Sequence, residues 1–424
     1  MAANPQQSNV LSFEDARSIV EDHASGLRPK GRELVGLLDA GGRVLAESIH
    51  ADRDFPPFPR AARDGYAVRA ADLETLPAVL EVVGEARAGA AESPRVLSGK
   101  AVAIMTGAAV PDGADAVVMV ERTSLLGERV QVNARVAAGE NIVPSGAEAR
   151  RGEKMMASGT RLGYAEIAVA ASVGRSRLVV HAKPKVAVLS TGDEVVDVDV
   201  PPGVNQIRNS NSYSLAIQIQ AASGDPVLLP IAPDEPRRLR ELLIEGMDAD
   251  LLLIAGGVSM GKYDLVEQTL AGMKAECFFD GAQIQPGRPI VFGRVPCGAG
   301  APAREGASQA EGHTYFFGLP GNPISTMVTF ELFARPMLEA LTGMSPRKLA
   351  FVHAKLNKEI RTKTGLKRFL PAMLSGEYEN SRVELVRWQG SGDIAAAARA
   401  NCYVVVPPDR ERVETGEWVP VLLR

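Results

Sequence analysis

Four segments of the sequence place acidic, hydroxyl or glycine residues directly after apolar runs that predict buried strands. Residues 191–194 (TGDE) follow the first run, and residues 233–235 (PDE) follow the second. Residues 256–261 (GGVSMG), with Asp264 just beyond, follow the third run, and residues 318–323 (GLPGNP) follow the last. Glycines let backbone N–H groups approach an anion closely, and carboxylates beside them suit a hard divalent cation. Together the segments predict a site for a phosphorylated or pyrophosphate-bearing ligand with magnesium.

Each segment on its own also has a purely structural interpretation. Residues 191–194 fit a turn that caps a helix, and Asp234 with Glu235 fits the first turn of a helix that begins near Pro236. Asp264 also fits a solvated surface residue. Residues 318–323 are harder to explain in this way, because two prolines and two glycines fix an unusual backbone directly before a helix.

The run from Gly257 to Gly261 also satisfies the G-x-S-x-G pattern of a hydrolase nucleophile elbow, with Ser259 as the nucleophile. That interpretation requires an acid and then a histidine downstream, and only His313 and His353 follow. His313 lies in a Gly/Ala-rich insert, and His353 has no evident acidic partner, so a serine hydrolase is disfavoured. The sequence contains neither a Walker A motif nor G-x-G-x-x-G, which argues against ordinary P-loop and Rossmann sites.

The four segments lie in a region where predicted strands and helices alternate. This alternation, over residues 182–346, predicts a mostly parallel sheet covered on both faces, whose ligands bind beyond the carboxyl ends of the strands. Short strands separated by Gly and Pro turns predict a small β domain over 50–148 and a C-terminal β barrel over 347–424. Residues 10–49 and 149–181 show helical patterns, with a capping box at Ser12, and predict one discontinuous domain interrupted by the β domain.

Composition limits the class of protein further. The 424 residues, nearly half of them apolar, predict several folded domains, and a net charge of -4 gives no general attraction for nucleic acid. The three cysteines have no C-x-x-C spacing, which argues against a structural zinc site or a disulfide framework. No signal peptide or membrane span is evident, so we expect a cytoplasmic protein that binds neither nucleic acid nor membrane.

In this order along the chain, the motifs resemble those of the molybdopterin molybdenumtransferase family, known as MoeA in bacteria and as the E-domain of gephyrin in animals. The resemblance covers nearly the whole chain. The matching stretches are 63–67 (RDGYA), 104–108 (IMTGA), 190–194 (STGDE), 256–261 (GGVSMG) with Asp264, 286–289 (PGRP), 317–323 (FGLPGNP) and 389–391 (QGS).

The resemblance implies both an architecture and a reaction. The expected fold is a multidomain α/β plus β arrangement: an elongated helical domain, an inserted β domain, a MogA-like molybdopterin-binding α/β domain and a C-terminal β barrel. The expected state is a homodimer with the active cleft between one subunit's α/β domain and the partner's β domain. The expected reaction inserts molybdenum from molybdate into adenylylated molybdopterin with a divalent cation and releases AMP. A transient contact with the molybdopterin adenylyltransferase is also implied.

The same resemblance assigns roles to individual residues. The implied catalytic residues are Asp64, Thr106, Glu194, Asp234 and Asp264. The last three of these are the implied Mg²⁺ ligands. The implied substrate-binding residues are Thr191, Gly192, Asp193, Gly256, Gly257, Ser259, Pro286, Gly287, Arg288, Pro320, Gly321, Asn322, Ser325, Lys367, Arg368 and Ser391. Among these, molybdate is expected at Arg288, Ser325 and Ser391, with Lys367 or Arg368 as further candidates.

Three departures from the family pattern affect positive charges. Relatives commonly carry K-P-G-K-P where this chain has QPGRP at 285–289, and an upstream lysine is replaced near residues 280–281. Val143 stands where an arginine is usual, with Glu148 near an expected aspartate, and residues 365–369 rearrange a basic motif. Arginine at position 288 can still bind an oxyanion through two hydrogen bonds.

Two further interpretations are weighed against the enzyme. A non-enzymatic molybdopterin-binding scaffold would leave the acidic residues without a use. An adenylyltransferase shares the α/β domain but needs neither the flanking domains nor the segments around Asp64 and Thr106. Release of AMP from adenylylated molybdopterin would distinguish the enzyme from the scaffold.

Overall fold

The computed structural model describes residues 9–90, 92–257, 265–296, 312–344 and 347–424. The first helix, Phe13–Gly26, begins where the sequence predicts, because the Ser12 hydroxyl oxygen accepts a hydrogen bond of 3.0 Å from the N–H of Asp15. Its apolar face, with Phe13, Ala16 and Val20 buried, packs into the core of the α/β region. No helix in the described ranges combines the length and apolar character needed to cross a membrane.

Residues on both sides of the β region form one small core. Strand Arg32–Gly36 pairs antiparallel with Arg177–His181, and Ile49–His50 pairs with Lys154–Met156. Helix Tyr164–Ser172 completes this part of the chain. Its core residues come from both stretches: Leu45, Ile49, Leu162, Leu178 and Val180.

A six-stranded sheet forms the β region. In spatial order its strands are Ala116–Met119, Gly65–Val68, Lys100–Ile104, Ala78–Ala86, Arg129–Val132 and Thr123–Leu126. Neighbours run antiparallel except Lys100–Ile104 and Ala78–Ala86, which are parallel. Apolar side chains are buried on both faces of the sheet. The pair Arg60–Ala61 and Ile142–Val143 lies at its margin, with short 3₁₀ helices at Ala70–Leu73 and Val120–Arg122.

The predicted α/β sheet is confirmed. In spatial order its strands are Asp225–Leu228, Lys185–Ser190, Leu251–Ala255, His313–Leu319, Val291–Pro296 and Glu276–Phe279. The first four are parallel, and Val291–Pro296 runs antiparallel to both of its neighbours.

Helices cover both faces of this sheet. Successive strand residues point to opposite sides, and the apolar ones pack against helices on each face. Val186 and Val188 face helix Asn211–Ala221 and the long helical segment after residue 322, while Ala187 and Leu189 face Pro236–Gly246 and Leu265–Gly272. The long segment consists of Pro323–Thr329, a π-helical turn at Phe330–Ala334, and Arg335–Leu341.

The C-terminal strands close into a five-stranded barrel, as expected. Around the barrel the strands are Lys367–Ser375, Arg382–Leu385, Phe351–Leu356, Trp418–Leu423 and Cys402–Val406, which pairs again with Lys367–Ser375. Ile284–Gln285 from the α/β region pairs with residues 367–368, so the barrel is joined to that region by backbone hydrogen bonds. The remaining short elements are helix Ile394–Arg399, the 3₁₀ turn Tyr378–Asn380, and the strand pairs Val10–Leu11 with Gly281–Ala282, Val195–Val196 with Ile207–Arg208, and Ile360–Arg361 with Arg412–Val413.

Candidate functional site

Three of the predicted site segments meet at the carboxyl ends of the parallel strands. The N–H of Thr191 donates to the Ala255 carbonyl at 3.2 Å, and the N–H of Gly256 donates to the Leu319 carbonyl at 3.0 Å. A Cβ placed on Gly321 would lie 3.5 Å from the Gly256 Cα, so the two glycine backbones are in contact. The structure therefore gathers at one rim the segments that the sequence analysis singled out.

Thr191 lies beneath the two glycines that follow the third parallel strand. The residue is 6% exposed. A Cβ on Gly256 would lie 3.2 Å from the Thr191 Oγ1, and a Cβ on Gly257 would lie 2.7 Å from it. Both glycines also have positive φ, +98° and +61°. Both positions favour glycine, because the positive φ would strain a larger residue. A Cβ would also collide with Thr191 at position 257 and crowd it at position 256.

The acidic residues after the first strand fold back onto their own loop. Gly192 has φ +120°, and a Cβ there would lie 2.3 Å from the Glu194 Oε2, so the carboxylate rests against the Gly192 backbone. The Glu194 carbonyl accepts a hydrogen bond of 2.8 Å from the N–H of Ile207, which fixes the position of the loop. The Asp193 Oδ1 accepts from the N–H of Asp234 at 3.0 Å. The two acidic loops are thereby joined.

A closed ring of three buried side chains supports the first of these loops. The Ser190 hydroxyl donates to the Asn209 Oδ1 at 3.0 Å, and the Asn209 amide donates to the Ser212 Oγ at 3.0 Å. The Ser212 hydroxyl can complete the ring by donating to the Ser190 Oγ, 2.9 Å away. This ring ties the end of strand Lys185–Ser190 to the start of helix Asn211–Ala221, the two ends of the loop that carries Glu194.

The turn at 318–323 is bound from three sides. The Asn211 Nδ2 donates to the Gly321 carbonyl at 2.7 Å, and the Thr326 hydroxyl donates to the Pro320 carbonyl. The N–H of Ile324 donates to the Ser391 carbonyl at 2.9 Å, so the barrel region contributes a segment to the start of this helix. Asn322 lies just before the helix. A Cβ placed on Gly392, in the same barrel segment as Ser391, would be 3.9 Å from the Asn322 Oδ1.

Pro286 and Gly287 connect this helix to Arg368. A Cβ on Gly287, which has φ +104°, would lie 2.4 Å from the Thr329 Cγ2 and 3.6 Å from the Ser325 carbonyl oxygen. The preceding residue, Gln285, pairs with Arg368 in the parallel strand register. Ser325 and Arg368 are both buried, with 4% and 7% exposed. The structure therefore brings together Pro286, Gly287, Ser325 and Arg368.

Arg368 is a buried cation whose hydrogen bond in the structure goes to backbone. Its Nη1 donates to the Leu366 carbonyl at 3.0 Å. Burial lowers the pKa of the guanidinium, and no acidic residue of the described ranges offsets that effect. A buried positive charge of this kind provides a favourable position for an anion.

The other two basic candidates have different surroundings. The Lys367 ammonium is paired with the Glu14 carboxylate and lies 4.7 Å from the centre of the Phe13 ring. This places Lys367 in a contact between the barrel and the first helix. The Arg288 side chain is exposed, while its carbonyl accepts a hydrogen bond of 3.0 Å from the N–H of Ala282.

Asp64 and Thr106 lie together in the β region. The Asp64 Oδ1 accepts hydrogen bonds of 2.6 Å from the Thr106 N–H and 2.8 Å from the Thr106 hydroxyl. These bonds, the backbone one first, lower the pKa of Asp64. Among the described residues, no hydrogen bond or ion pair joins this exposed pair to the rim of the α/β sheet. Within one chain, the structure does not bring the two sets together.

Two predicted residues, Ser259 and Asp264, lie outside the described residues. Ser259 is the nucleophile expected of the hydrolase motif, and Asp264 is the third expected metal ligand. Across the described ranges, no three His, Cys, Asp or Glu side chains converge as a metal centre would require. Glu194 and Asp234 remain as the described oxygen donors at the rim.

Sequence analysis missed Asn209, Asn211 and Ser212, which join the site loops to one another. A signal was available in the run NSNS at 209–212, which lies at the start of a helical pattern. Short polar side chains in this position bind nearby backbone and cap helices. Their pairing with Ser190 and Gly321 depends on tertiary contacts and could not be deduced from the run alone.

Models of known families match three consecutive parts of the chain. Residues 11–174 match the MoeA N-terminal region (domains I and II), residues 187–340 match a probable molybdopterin binding domain, and residues 353–423 match the MoeA C-terminal region (domain IV). The β region, the α/β sheet and the barrel fall within these three matches.

Full-length relatives agree with these matches. The chain is 33% identical over 399 residues to the molybdopterin molybdenumtransferase of Nostoc sp. (strain PCC 7120), covering 92% of this chain and 88% of that one. It is 30% identical to the Haemophilus influenzae enzyme of the same name, covering 97% and 98%. The solved molybdopterin biosynthesis moeA protein of Pyrococcus horikoshii OT3 superposes with a TM-score of 0.74 at 28% identity, covering 98% and 100%. The chain belongs to the molybdopterin molybdenumtransferase family of enzymes and has the MoeA multidomain architecture.

Proposed function

We propose that this protein inserts molybdenum from molybdate into adenylylated molybdopterin, with Mg²⁺ as the divalent cation, and releases AMP together with the molybdenum cofactor. The single observation that carries the proposal is the convergence at one rim of Gly256, Gly321 and the acidic loop at 191–194. This rim lies in the part of the chain that matches a probable molybdopterin binding domain. The relatives named above are molybdenumtransferases.

The glycines at the rim are suited to binding the pyrophosphate of the substrate. Gly256 and Gly257 have positive φ and carry no side chain, so a phosphate can approach their backbone closely. Pro323 occupies the first turn of the following helix, whose N-terminus adds a favourable dipole for negative charge. These features support binding of an anionic bridge between two larger groups.

Mg²⁺ would be held by carboxylate oxygens, which are the ligands it prefers. Glu194 and Asp234 belong to two loops that the Asp193 hydrogen bond joins, and the family resemblance adds Asp264. The bound cation would polarise the phosphoanhydride bond that releases AMP. The Glu194 carboxylate rests against the backbone of Gly192, a contact that would help to hold it in this role.

Molybdate, a tetrahedral oxyanion substrate, needs positive charge and hydrogen-bond donors. The buried Arg368 guanidinium supplies charge without an acidic partner in the described ranges, and the buried Ser325, whose carbonyl oxygen lies near Gly287, would add its hydroxyl. Ser391 reaches the start of the helix from the barrel region. Arg288 is exposed beside this turn, while Lys367 is engaged by Glu14.

The separation of the Asp64–Thr106 pair from the rim supports a shared active site. We propose that the protein is a cytoplasmic homodimer in which this pair acts at the rim of the partner subunit. The proposed domains are 10–49 with 149–181, 50–148, 182–346 and 347–424. Transient contact with the molybdopterin adenylyltransferase would deliver the adenylylated substrate.

The test mixes purified protein with adenylylated molybdopterin, Mg²⁺ and molybdate, and measures AMP release by chromatography. Release should require both the cation and the oxyanion, and should fall at least a hundredfold in Glu194→Ala and Asp264→Ala. Glu245→Ala is the matched control, because Glu245 is an exposed acid on helix Pro236–Gly246 that contributes nothing to the rim. Substrate binding without AMP release would indicate a molybdopterin-binding scaffold. Ester hydrolysis that Ser259→Ala abolishes would indicate a serine hydrolase.

A further inference from the structure

Two buried side-chain oxygens at the rim have no hydrogen-bond partner among the described residues. They are the Oγ1 of Thr191 and the Oδ1 of Asn211. Buried polar atoms are nearly always paired in folded proteins, so each unpaired one requires an explanation. These two occur in the same small region of the site, where a ligand is expected.

The contact between Gly256 and Gly321 lies between the two oxygens. Thr191 lies against Gly256, because a Cβ there would be 3.2 Å from the Thr191 Oγ1. Asn211 lies against Gly321, whose carbonyl accepts from its Nδ2 at 2.7 Å. Since the two glycine backbones touch, Thr191 and Asn211 flank the same pair of loops.

The orientation of the Asn211 amide follows from its one bonded partner. Its NH₂ group must face the Gly321 carbonyl, because the flipped amide would place two acceptor oxygens 2.7 Å apart. The Oδ1 therefore points away from Gly321 and is buried without a donor among the described residues. A carbonyl oxygen cannot donate, so it repels phosphate oxygens and matches only an N–H, an O–H or a cation.

Both oxygens are held by rigid parts of the site. Thr191 directly follows Ser190, and Asn211 directly precedes Ser212, and both serines belong to the buried ring that Asn209 completes. A preorganised acceptor binds its partner with little loss of conformational entropy. The ring thus explains how two unpaired oxygens can keep fixed positions.

We propose that Asn211 Oδ1 accepts a hydrogen bond from an uncharged N–H or O–H edge of the substrate, supplied by either its pterin ring or its nucleoside, and that the Thr191 hydroxyl forms a hydrogen bond with the same edge. The assignment rests on the proposed function and adds to it a recognition element for a neutral part of the substrate. In this arrangement the glycine backbones bind the phosphates and the carboxylates bind the metal.

Thr191→Val gives the sharpest test, because valine replaces an unpaired buried hydroxyl with a methyl group of similar size. The melting temperature should stay the same or rise, since Thr191 Oγ1 has no hydrogen bond to the described residues that the substitution could remove. The affinity for either molybdopterin or AMP, whichever half of the substrate supplies the edge, should nevertheless fall about tenfold. This is the effect of one lost hydrogen bond. Asn211→Ala should weaken the same half by at least as much.

Calorimetry with four separate probes locates the contact: molybdopterin, AMP, pyrophosphate and Mg²⁺ alone. Loss confined to molybdopterin assigns the edge to the pterin, and loss confined to AMP assigns it to the nucleoside. Ser214→Ala is the control, because the Ser214 hydroxyl donates to the Asn211 backbone carbonyl at 3.0 Å and leaves the amide untouched. Its affinity for all four probes should equal that of the unchanged protein.

Other outcomes overturn the proposal. Unchanged affinity for both molybdopterin and AMP in Thr191→Val and Asn211→Ala would exclude a donor contact, even with AMP release intact in the parent protein. An equal loss of pyrophosphate or Mg²⁺ binding would assign the oxygens to a phosphate or a cation. A parent protein that binds neither molybdopterin nor AMP would refute the proposed function together with this inference.

Discussion

The Asp64 carboxylate accepts two hydrogen bonds from Thr106, one from its N–H at 2.6 Å and one from its hydroxyl at 2.8 Å. The register of the β sheet allows this contact. Gly65 pairs with Ile104, so Asp64, one residue before Gly65, lies close to Thr106, two residues after Ile104. Hydrogen bonds that favour the charged form lower the pKa of the carboxyl group. Asp64 is therefore kept ionised and oriented although it is exposed.

Thr106→Val should raise the pKa of Asp64 towards the ordinary value of 3.8, but only in part, since the larger backbone contribution remains. A pKa lowered by folding stabilises the protein above the pKa of the unfolded chain, and this stabilisation disappears as the pH falls through the folded value. The variant should therefore lose less stability on acidification than the parent protein. Carboxyl NMR titration measures the pKa directly. Thr123→Val removes a hydroxyl that, within the described part of the chain, donates to the Val120 carbonyl, and it should leave the pKa of Asp64 unchanged.

The ring of Ser190, Asn209 and Ser212 should behave as one unit in unfolding experiments. Ser190→Ala or Ser212→Ala leaves a buried partner unsatisfied and should lower the free energy of unfolding by about 1–3 kcal/mol. The double variant should cost less than the sum of the two, because it removes the bond between them at both ends. Urea denaturation measures these values. Strictly additive losses would show that the two serine hydroxyls act independently.

The elements that position the site were largely predictable from the sequence. The apolar runs at Lys185–Ser190 and Leu251–Ala255 have the length and composition of buried parallel strands, and their carboxyl ends must lie side by side. The glycines and acids that follow them were therefore placed at one rim before any contact was known. The helix start at Ser12 was predictable for a similar local reason.

Contacts that depend on tertiary structure could not be predicted in this way. The sequence analysis proposed Lys367 as an oxyanion ligand, but nothing in the pattern at 365–369 indicates that helix Phe13–Gly26 brings Glu14 to its ammonium. The hydrogen bond between Asn211 and Gly321 joins residues 110 positions apart. Composition and spacing contain no information about such pairs, which the packing of helices on the sheet determines.

Arg368→Met should raise the molybdate concentration needed for half-maximal AMP release by at least tenfold. A hydrogen bond to a charged group contributes about 1.5–3 kcal/mol, and the substituted side chain keeps a similar size without the charge. Stability should not fall, because the variant removes a buried cation that has no acidic partner in the described ranges. Arg399→Met is the control: Arg399 also donates to a backbone carbonyl in the barrel region, at 3.1 Å, but it is exposed. An unchanged molybdate requirement in Arg368→Met would place the oxyanion elsewhere.

Gly192→Ala should separate backbone strain from displacement of the Glu194 carboxylate. The new Cβ would lie 2.3 Å from the Glu194 Oε2, so the carboxylate must swing away, and φ +120° adds strain of about 1–3 kcal/mol. Because Glu194 is a proposed Mg²⁺ ligand, the Mg²⁺ concentration needed for AMP release should rise at least tenfold.

Gly152→Ala provides the comparison for this prediction, since Gly152 has φ +84° but no atom within 4 Å of the added Cβ. It should lower stability through strain alone and leave the Mg²⁺ requirement unchanged. Titration of Mg²⁺ at saturating molybdate, with thermal unfolding in parallel, compares the two variants. If both lost stability equally and both kept the parent's Mg²⁺ requirement, Glu194 could not be a ligand whose position matters, and the cation site would have to be sought among other oxygens of the rim.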